Sequence, residues 1–137
     1  MDATPDGWEP RYFGQPDGYS ALIGPLLTRR DAQGWASGVV VEAKHLNARG
    51  VVHGGLIASL ADNALGMLVW ETLDRKPCAT VQLNVQYVAA GREGDFLVVR
   101  GEIVRATRSV VFVRGLVTAE ERTIAMADGV WKRLGSP

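Results

Sequence analysis

Cysteine is almost missing from this chain of 137 residues, where Cys78 stands alone. No internal disulfide can form, and a reducing, cytoplasmic compartment is the expectation. Excess charge is missing as well, with Lys+Arg 15 set against Asp+Glu 15. Bulk electrostatics therefore draws the chain neither to nucleic acid nor to an anionic membrane, and neither is expected as a partner. The opening MDATPDGWEPRYFGQPDGYS has no basic n-region and no apolar h-region, so a signal peptide is not expected. Histidine occurs twice, as His45 and His53 in a glycine-containing turn, and no metal site is expected from the pair. C-x-x-C, H-E-x-x-H, P-loop and strand-borne G-x-G-x-x-G patterns are absent, and without a G-x-S-x-G elbow a serine hydrolase is disfavoured.

A long uninterrupted apolar run is also lacking. Residues 51–70 have the length of a membrane span, but His53, Asp62 and Asn63 fall inside the window. One ionisable group near a helix centre costs roughly 2.5–3.5 kcal/mol on the lenient insertion scale, so no span is expected.

What the chain does have is 47% hydrophobic residues, enough for the core of one domain. Residues 1–20 carry three of the six prolines together with Gly7, Gly14 and Gly18. They are expected to form an irregular arm, with Trp8, Tyr12 and Phe13 packing somewhere, ahead of a single domain over residues 21–137.

The domain is organised around residues 45–70, HLNARGVVHGGLIASLADNALGMLVW. A polar, glycine-rich turn leads into a helix-length segment whose one acid before Glu71 is Asp62. At 100° per residue, Gly55, Ser59, Asp62, Asn63 and Gly66 share one side and apolar residues cover most of the rest. Such a helix is buried nearly all round, with a narrow stripe of small and polar groups.

Sheet is expected elsewhere. Residues 21–30 and 35–43 flank DAQG as a first hairpin. In residues 79–89, Ala79, Val81, Leu83, Val85 and Tyr87 alternate with Thr80, Gln82, Asn84 and Gln86, implying one apolar face and one facing water or a site. Residues 96–106, 109–119 and 123–133 form three more strands joined by short polar turns. Each holds an interior glycine (Gly101, Gly115, Gly129), tolerated where a sheet bends or another segment comes close. The architecture predicted is α+β, with a curved antiparallel sheet wrapped around one long central helix.

The run H-x-N-x-x-G-x-x-H-G-G with a later aspartate (His45, Asn47, Gly50, His53, Gly54, Gly55, Asp62), followed by TVQLNVQY at residues 80–87 and Gly94, resembles the hotdog-fold acyl-CoA thioesterases of the PaaI-like, phenylacetate-pathway group. The resemblance implies hydrolysis of a CoA thioester carrying an aryl or medium-chain acyl group, by a homodimer often paired into a tetramer. Coenzyme A is then part of the substrate, and no separate cofactor is expected. The resemblance also implies site roles. Asp62 activates water, Gly55 or Gly54 donates a backbone N–H to the thioester oxygen, Asn47 and His53 orient the thioester or water, and Thr80 sits near the attacking water. Arg92, Arg105 and Arg108 are the candidates for the CoA phosphates. Whether Asp62 acts as base or nucleophile stays open, since both use an ionised carboxylate.

Physical chemistry adds a constraint. N–H groups at a helix start are unsatisfied and lie at the positive end of the macrodipole, suited to an oxyanion. Asp62 lies eight residues beyond Gly54, about 12 Å along the axis, whereas a base must reach its water within about 3 Å. If both act together, one chain cannot assemble the site, and a two-fold axis setting two helices antiparallel would make composite sites. The polar stripe then becomes the expected dimer seam.

Each residue also has a plainer reading. Asp62 could be a buried acid serving assembly, His53 a helix cap, His45 a structural brace, Asn47 a turn residue, Thr80 ordinary strand chemistry and Tyr87 core. The rival activities are a hotdog hydratase or dehydratase using a histidine with Asp62, and a non-catalytic acyl-CoA-binding protein.

Overall fold

The computed structural model describes residues 4–135, so the first three residues of the arm and the last two of the domain lie outside the described residues. Its strands are β1 (Glu9–Pro10), β2 (Leu27–Asp31), β3 (Gly34–Val40), β4 (Cys78–Tyr87), β5 (Phe96–Ala106), β6 (Val110–Ala119) and β7 (Arg122–Arg133). All pair antiparallel in one open sheet, in the order β1-β2-β3-β5-β6-β7-β4. A short helix, α1 (Tyr19–Ile23), precedes β2, and the long helix α2 (Gly54–Thr72) packs across one face, against β3 to β7.

Helix α2 is the expected central element. Its 19 residues contain no proline, and its first turn is capped by His53, whose Nδ1 accepts from the Gly55 N–H at 2.7 Å. It ends where Asp74 and Arg75 take positive φ angles of 56° and 58°. Leu60, Ala61 and Val69 are fully buried and Leu65 nearly so, and each large apolar side chain contributes about 1.5–3 kcal/mol by leaving water. The stripe of Gly55, Ser59, Asp62, Asn63 and Gly66 stays outside the core.

Part of that stripe is covered within the chain. Ser59 Oγ lies 2.6 Å from the Tyr19 hydroxyl, and a Cβ on Gly66 would come within 3.1 Å of Trp131 Nε1. The small residues make room for the chain's own α1 and β7.

The arm departs from expectation. Residues 9–10 pair with β2, the Arg11 N–H donates to the Leu26 carbonyl at 2.9 Å, and Trp8 meets Phe96 edge-on at 4.9 Å. The first hairpin forms as β2 and β3, but residues 21–23 close α1 instead of extending the strand.

The last three strands match the expected runs to within a residue, and their glycines are sites of close approach. Gly101 and Gly115 face each other in register, and a Cβ on either would strike Leu65 Cδ2, at 2.5 Å and 3.1 Å. They form a notch in the sheet that receives α2. On β4 the strict alternation fails, because a bulge interrupts the register between Thr80 and Gln82. The extra residue, Val81, is 62% exposed, and it turns Thr80 to the side of Leu83 and Val85, which pack on the core beneath α2. Tyr87, expected in the core, is 56% exposed.

Candidate active site

The expected site residues fall into two groups, one at each end of the first half of α2. At the aspartate end, Thr80 Oγ1 donates to Asp62 Oδ1 at 2.7 Å, a contact made possible by the β4 bulge. The second Asp62 oxygen has no hydrogen-bond partner among the described residues. Asp62 and Thr80 border a cleft of about 520 Å³, walled further by Met67, Trp70 and Trp131 and by the arm at Arg11 and Phe13. Cys78 lines the same cleft, and burial pushes its thiol above the ordinary thiol pKa.

At the glycine end, the two candidate donors differ. The Gly55 N–H is already spent on His53 Nδ1, whereas no hydrogen bond among the described residues engages the Gly54 N–H. Gly54 itself is held from behind, since the Tyr87 hydroxyl donates to its carbonyl at 2.8 Å. With Nδ1 accepting, His53 carries its proton on Nε2, which is free to donate from an exposed ring. Asn47 shapes the turn: its Oδ1 accepts from the N–H groups of Arg49 and Val51 at 2.9 Å and 3.3 Å, leaving its Nδ2 as donor. Asn47, Gly54 and Tyr87 border a second cleft of about 360 Å³.

His45 lies apart from both groups. It is 3% exposed, its Nδ1 accepts from the Glu42 N–H at 2.9 Å, and its Nε2 donates to the Ile23 carbonyl at 2.6 Å. Both ring nitrogens are spent on holding the backbone together.

The three candidate arginines are divided between the ends. Thr80 is in register with Trp131, Trp131 with Val111, and Val111 with Ala106, which puts Arg105 and Arg108 at the Asp62 end of the sheet. Tyr87 is in register with Ala125, Ala125 with Val117 and Val117 with Val99, so Arg92, in the loop after β4, belongs to the Gly54 end. From Val99 to Ala106 is roughly 24 Å of strand, too far for the three to serve one CoA within a chain.

Sequence reasoning missed several groups. Tyr87, expected in the core, shares the face of Leu83 and Val85 but stands exposed at the end of β4. Arg49 borders the cleft at the Gly54 end, and its place two residues after Asn47 in the motif turn was the available signal. Arg11 and Phe13 wall the Asp62 cleft from a segment whose composition carried no sign of it.

Comparison with known proteins fits this architecture. The sequence profile of the thioesterase superfamily matches residues 49–126, the span from the motif turn into the first part of β7. A Pseudomonas aeruginosa protein bearing an esterase name is 31% identical over 133 residues, 96% of this chain and 98% of that protein. Human acyl-coenzyme A thioesterase 13 is 32% identical over 89 residues, 65% of this chain and 64% of its own length. Among solved structures, a Bacillus halodurans protein crystallised with CoA superposes with a TM-score of 0.74 at 29% identity, covering 80% of this chain and 74% of that one. A phenylacetic acid degradation-related protein of Ralstonia eutropha gives 0.74 at 26% identity, covering 82% and 87%. A profile match over more than half its length, a near full-length relative and the hotdog architecture agree: the chain belongs to the thioesterase superfamily.

Proposed function

We propose that the protein hydrolyses an acyl-CoA thioester at sites shared between two copies of the chain. One observation carries this reading. The two half-sites are tied to opposite ends of the same edge strand, Asp62 to Thr80 and Gly54 to Tyr87. If β4 pairs antiparallel with β4 of a second copy in the register that sets Thr80 opposite Tyr87, Asp62 of one copy is carried to Gly54 of the other. The 12 Å gap within a chain is then closed twice per dimer.

The edge itself supports this pairing. Long edge strands are usually blunted by lysine, proline or a covering element. β4 is ten residues long, CATVQLNVQY, with no charge and no proline, and it leaves Val81 and Tyr87 exposed.

In such a site the Asp62 carboxylate takes a proton from water as the water oxygen attacks the thioester carbonyl, with Thr80 holding the carboxylate in place. Negative charge gathers on the carbonyl oxygen and is met by the Gly54 N–H at the start of the second copy's α2. Collapse breaks the C–S bond, and the thiolate takes up a proton, giving a carboxylic acid and CoA. Asn47 Nδ2 and His53 Nε2 are donors for the thioester or the water. Arg92 and Arg49 of one copy and Arg105 and Arg108 of the other are the candidate phosphate contacts.

The hydratase alternative fits less well, because it needs a histidine free to move protons. His45 is sealed and His53 has one nitrogen committed to Gly55. We place the protein in the cytoplasm, where its free thiol is compatible with a reducing milieu, and no helix of the described residues is long and apolar enough to cross a membrane. A second pairing, dimer to tetramer, would use the outer face of the sheet, where Phe112, Leu116 and Met126 are 39–46% exposed. The direct test is thiol release from a panel of acyl-CoA esters. Release by wild type and its loss in Asp62→Asn is expected. Hydration of an enoyl-CoA without thiol release, or binding without turnover, would overturn the hydrolase reading.

A further inference from the structure

The Asp62 cleft has a far end. Its floor is the helix line of Asp62, Gly66 and Trp70, which share a gently turning stripe of α2 and span about 12 Å from first to last. Such a length suits a medium acyl chain, or a ring on a short linker, extending away from the thioester.

At that far end stands Arg11, delivered by the arm. Its guanidinium lies 5.7 Å from the Phe13 ring centroid, 5.3 Å from Trp35 and 5.7 Å from Trp70, so aromatic rings surround its position. It makes an ion pair with Glu71 at 3.3 Å, the carboxylate being 8% exposed. Glu71 is shared with Arg75 at 3.1 Å, so two guanidinium groups stand against one carboxylate and the cluster keeps a net positive charge. Of the five N–H donors of Arg11, the bond to Glu71 engages one, no other side-chain bond among the described residues engages the rest, and the side chain keeps 23% of its surface open.

A charge placed only to pin the arm would not need to border the cleft. We propose that Arg11 is a specificity-determining residue for the acyl group. It favours acyl groups whose far end carries a hydrogen-bond acceptor, an anionic carboxylate above all. The apolar walls hold the middle of the chain, and the guanidinium's free edge meets the acceptor while its face stays against the rings. This inference rests on the proposed thioester substrate for the identity of the acyl group, though not on turnover.

The test compares matched pairs of CoA esters: octanoyl with suberoyl, and phenylacetyl with para-hydroxyphenylacetyl. For each pair, the ratio of kcat/KM, polar-ended over apolar, is measured in wild type, Arg11→Met and Arg11→Lys. The expected result is a ratio above one in wild type. It should fall about tenfold in Arg11→Met, mostly through KM, and recover in part in Arg11→Lys. The same ratio is read as Kd in the Asp62→Asn background, from quenching of tryptophan fluorescence, since Trp70 and Trp131 line the cleft. An absence of thiol release from every ester would overturn the hydrolase reading, and the binding ratios would still decide the role of Arg11. If Arg11→Met lowers both members of each pair equally, or wild type binds the apolar members more tightly, Arg11 only pins the arm and the proposal fails.

Discussion

Two side-chain hydrogen bonds hold the two ends of the first half of α2, and both come from β4. Thr80 fixes one oxygen of Asp62 and leaves the other open, while Tyr87 holds the Gly54 peptide from its carbonyl side. Replacing Asp62 by Asn removes the proposed base and should lower kcat at least 100-fold with the far-ultraviolet spectrum unchanged. Tyr87→Phe, which keeps the ring but loses the bond, should lower kcat roughly tenfold with little change in KM, as expected for a group that acts through Gly54. Asp62 was legible in the sequence because it is the only acid on an otherwise uncharged helix face. Thr80 is legible only by resemblance, because the bulge that turns it has no composition signature, and the exposure of Tyr87 is not legible, because it shares the face of Leu83 and Val85 and differs from them only in standing at the end of the strand. Away from the site, paired hydrogen bonds from Arg100, with one from the Gln33 N–H, hold the Asp31 carboxyl below its usual range. A lowered folded pKa stabilises above the unfolded value and is lost as pH falls through the folded one. Asp31→Asn should therefore lower the urea midpoint at neutral pH, and the difference from wild type should close as pH drops below about 4.

At the scale of elements, the sheet is shaped by what its strands omit. Gly115 lacks the Cβ that would sit 2.6 Å from the Arg100 carbonyl oxygen and 3.1 Å from Leu65 Cδ2. Gly115→Ala forces backbone against backbone and should cost about 1–3 kcal/mol in chemical denaturation, with an unchanged m-value. The bulge at Val81 is a second such device. Deleting Val81 leaves Thr80 next to Gln82 in a ladder already paired with Trp131 and Val130, so Thr80 should keep the side of Leu83 and its bond to Asp62, and activity should survive in a protein that keeps its near-ultraviolet spectrum. Strand boundaries from β5 to β7 could be anticipated to within a residue because β-branched runs alternate with polar turns. The arm could not, since its order comes from β1 pairing with β2 and from Trp8 against Phe96, both contacts to residues distant in sequence. The separation of the α2 stripe from the core is legible from periodicity, which tells which side is unlike the rest and not what lies upon it.

For the whole molecule, the chain's most exposed commitment is the uncharged edge of β4. In the pairing that sets Thr80 opposite Tyr87, Val81 faces Gln86 of the second copy, twice. Val81→Lys with Gln86→Lys would set like charges opposite one another across the seam. Sedimentation should then show a folded monomer with thiol release lowered at least 100-fold, since isolated half-sites lack either the base or the oxyanion donor. An active monomer would end the composite-site reading. The most direct measurement is complementation between two inactive variants, Asp62→Asn and Gly54→Pro, the second lacking the N–H donor, unfolded together and refolded as a mixture. A mixed dimer holds one site built from the intact Asp62 of one copy and the intact Gly54 of the other. Random assembly should restore about a quarter of wild-type thiol release. A mixture as inactive as its two components would contradict a site shared between chains.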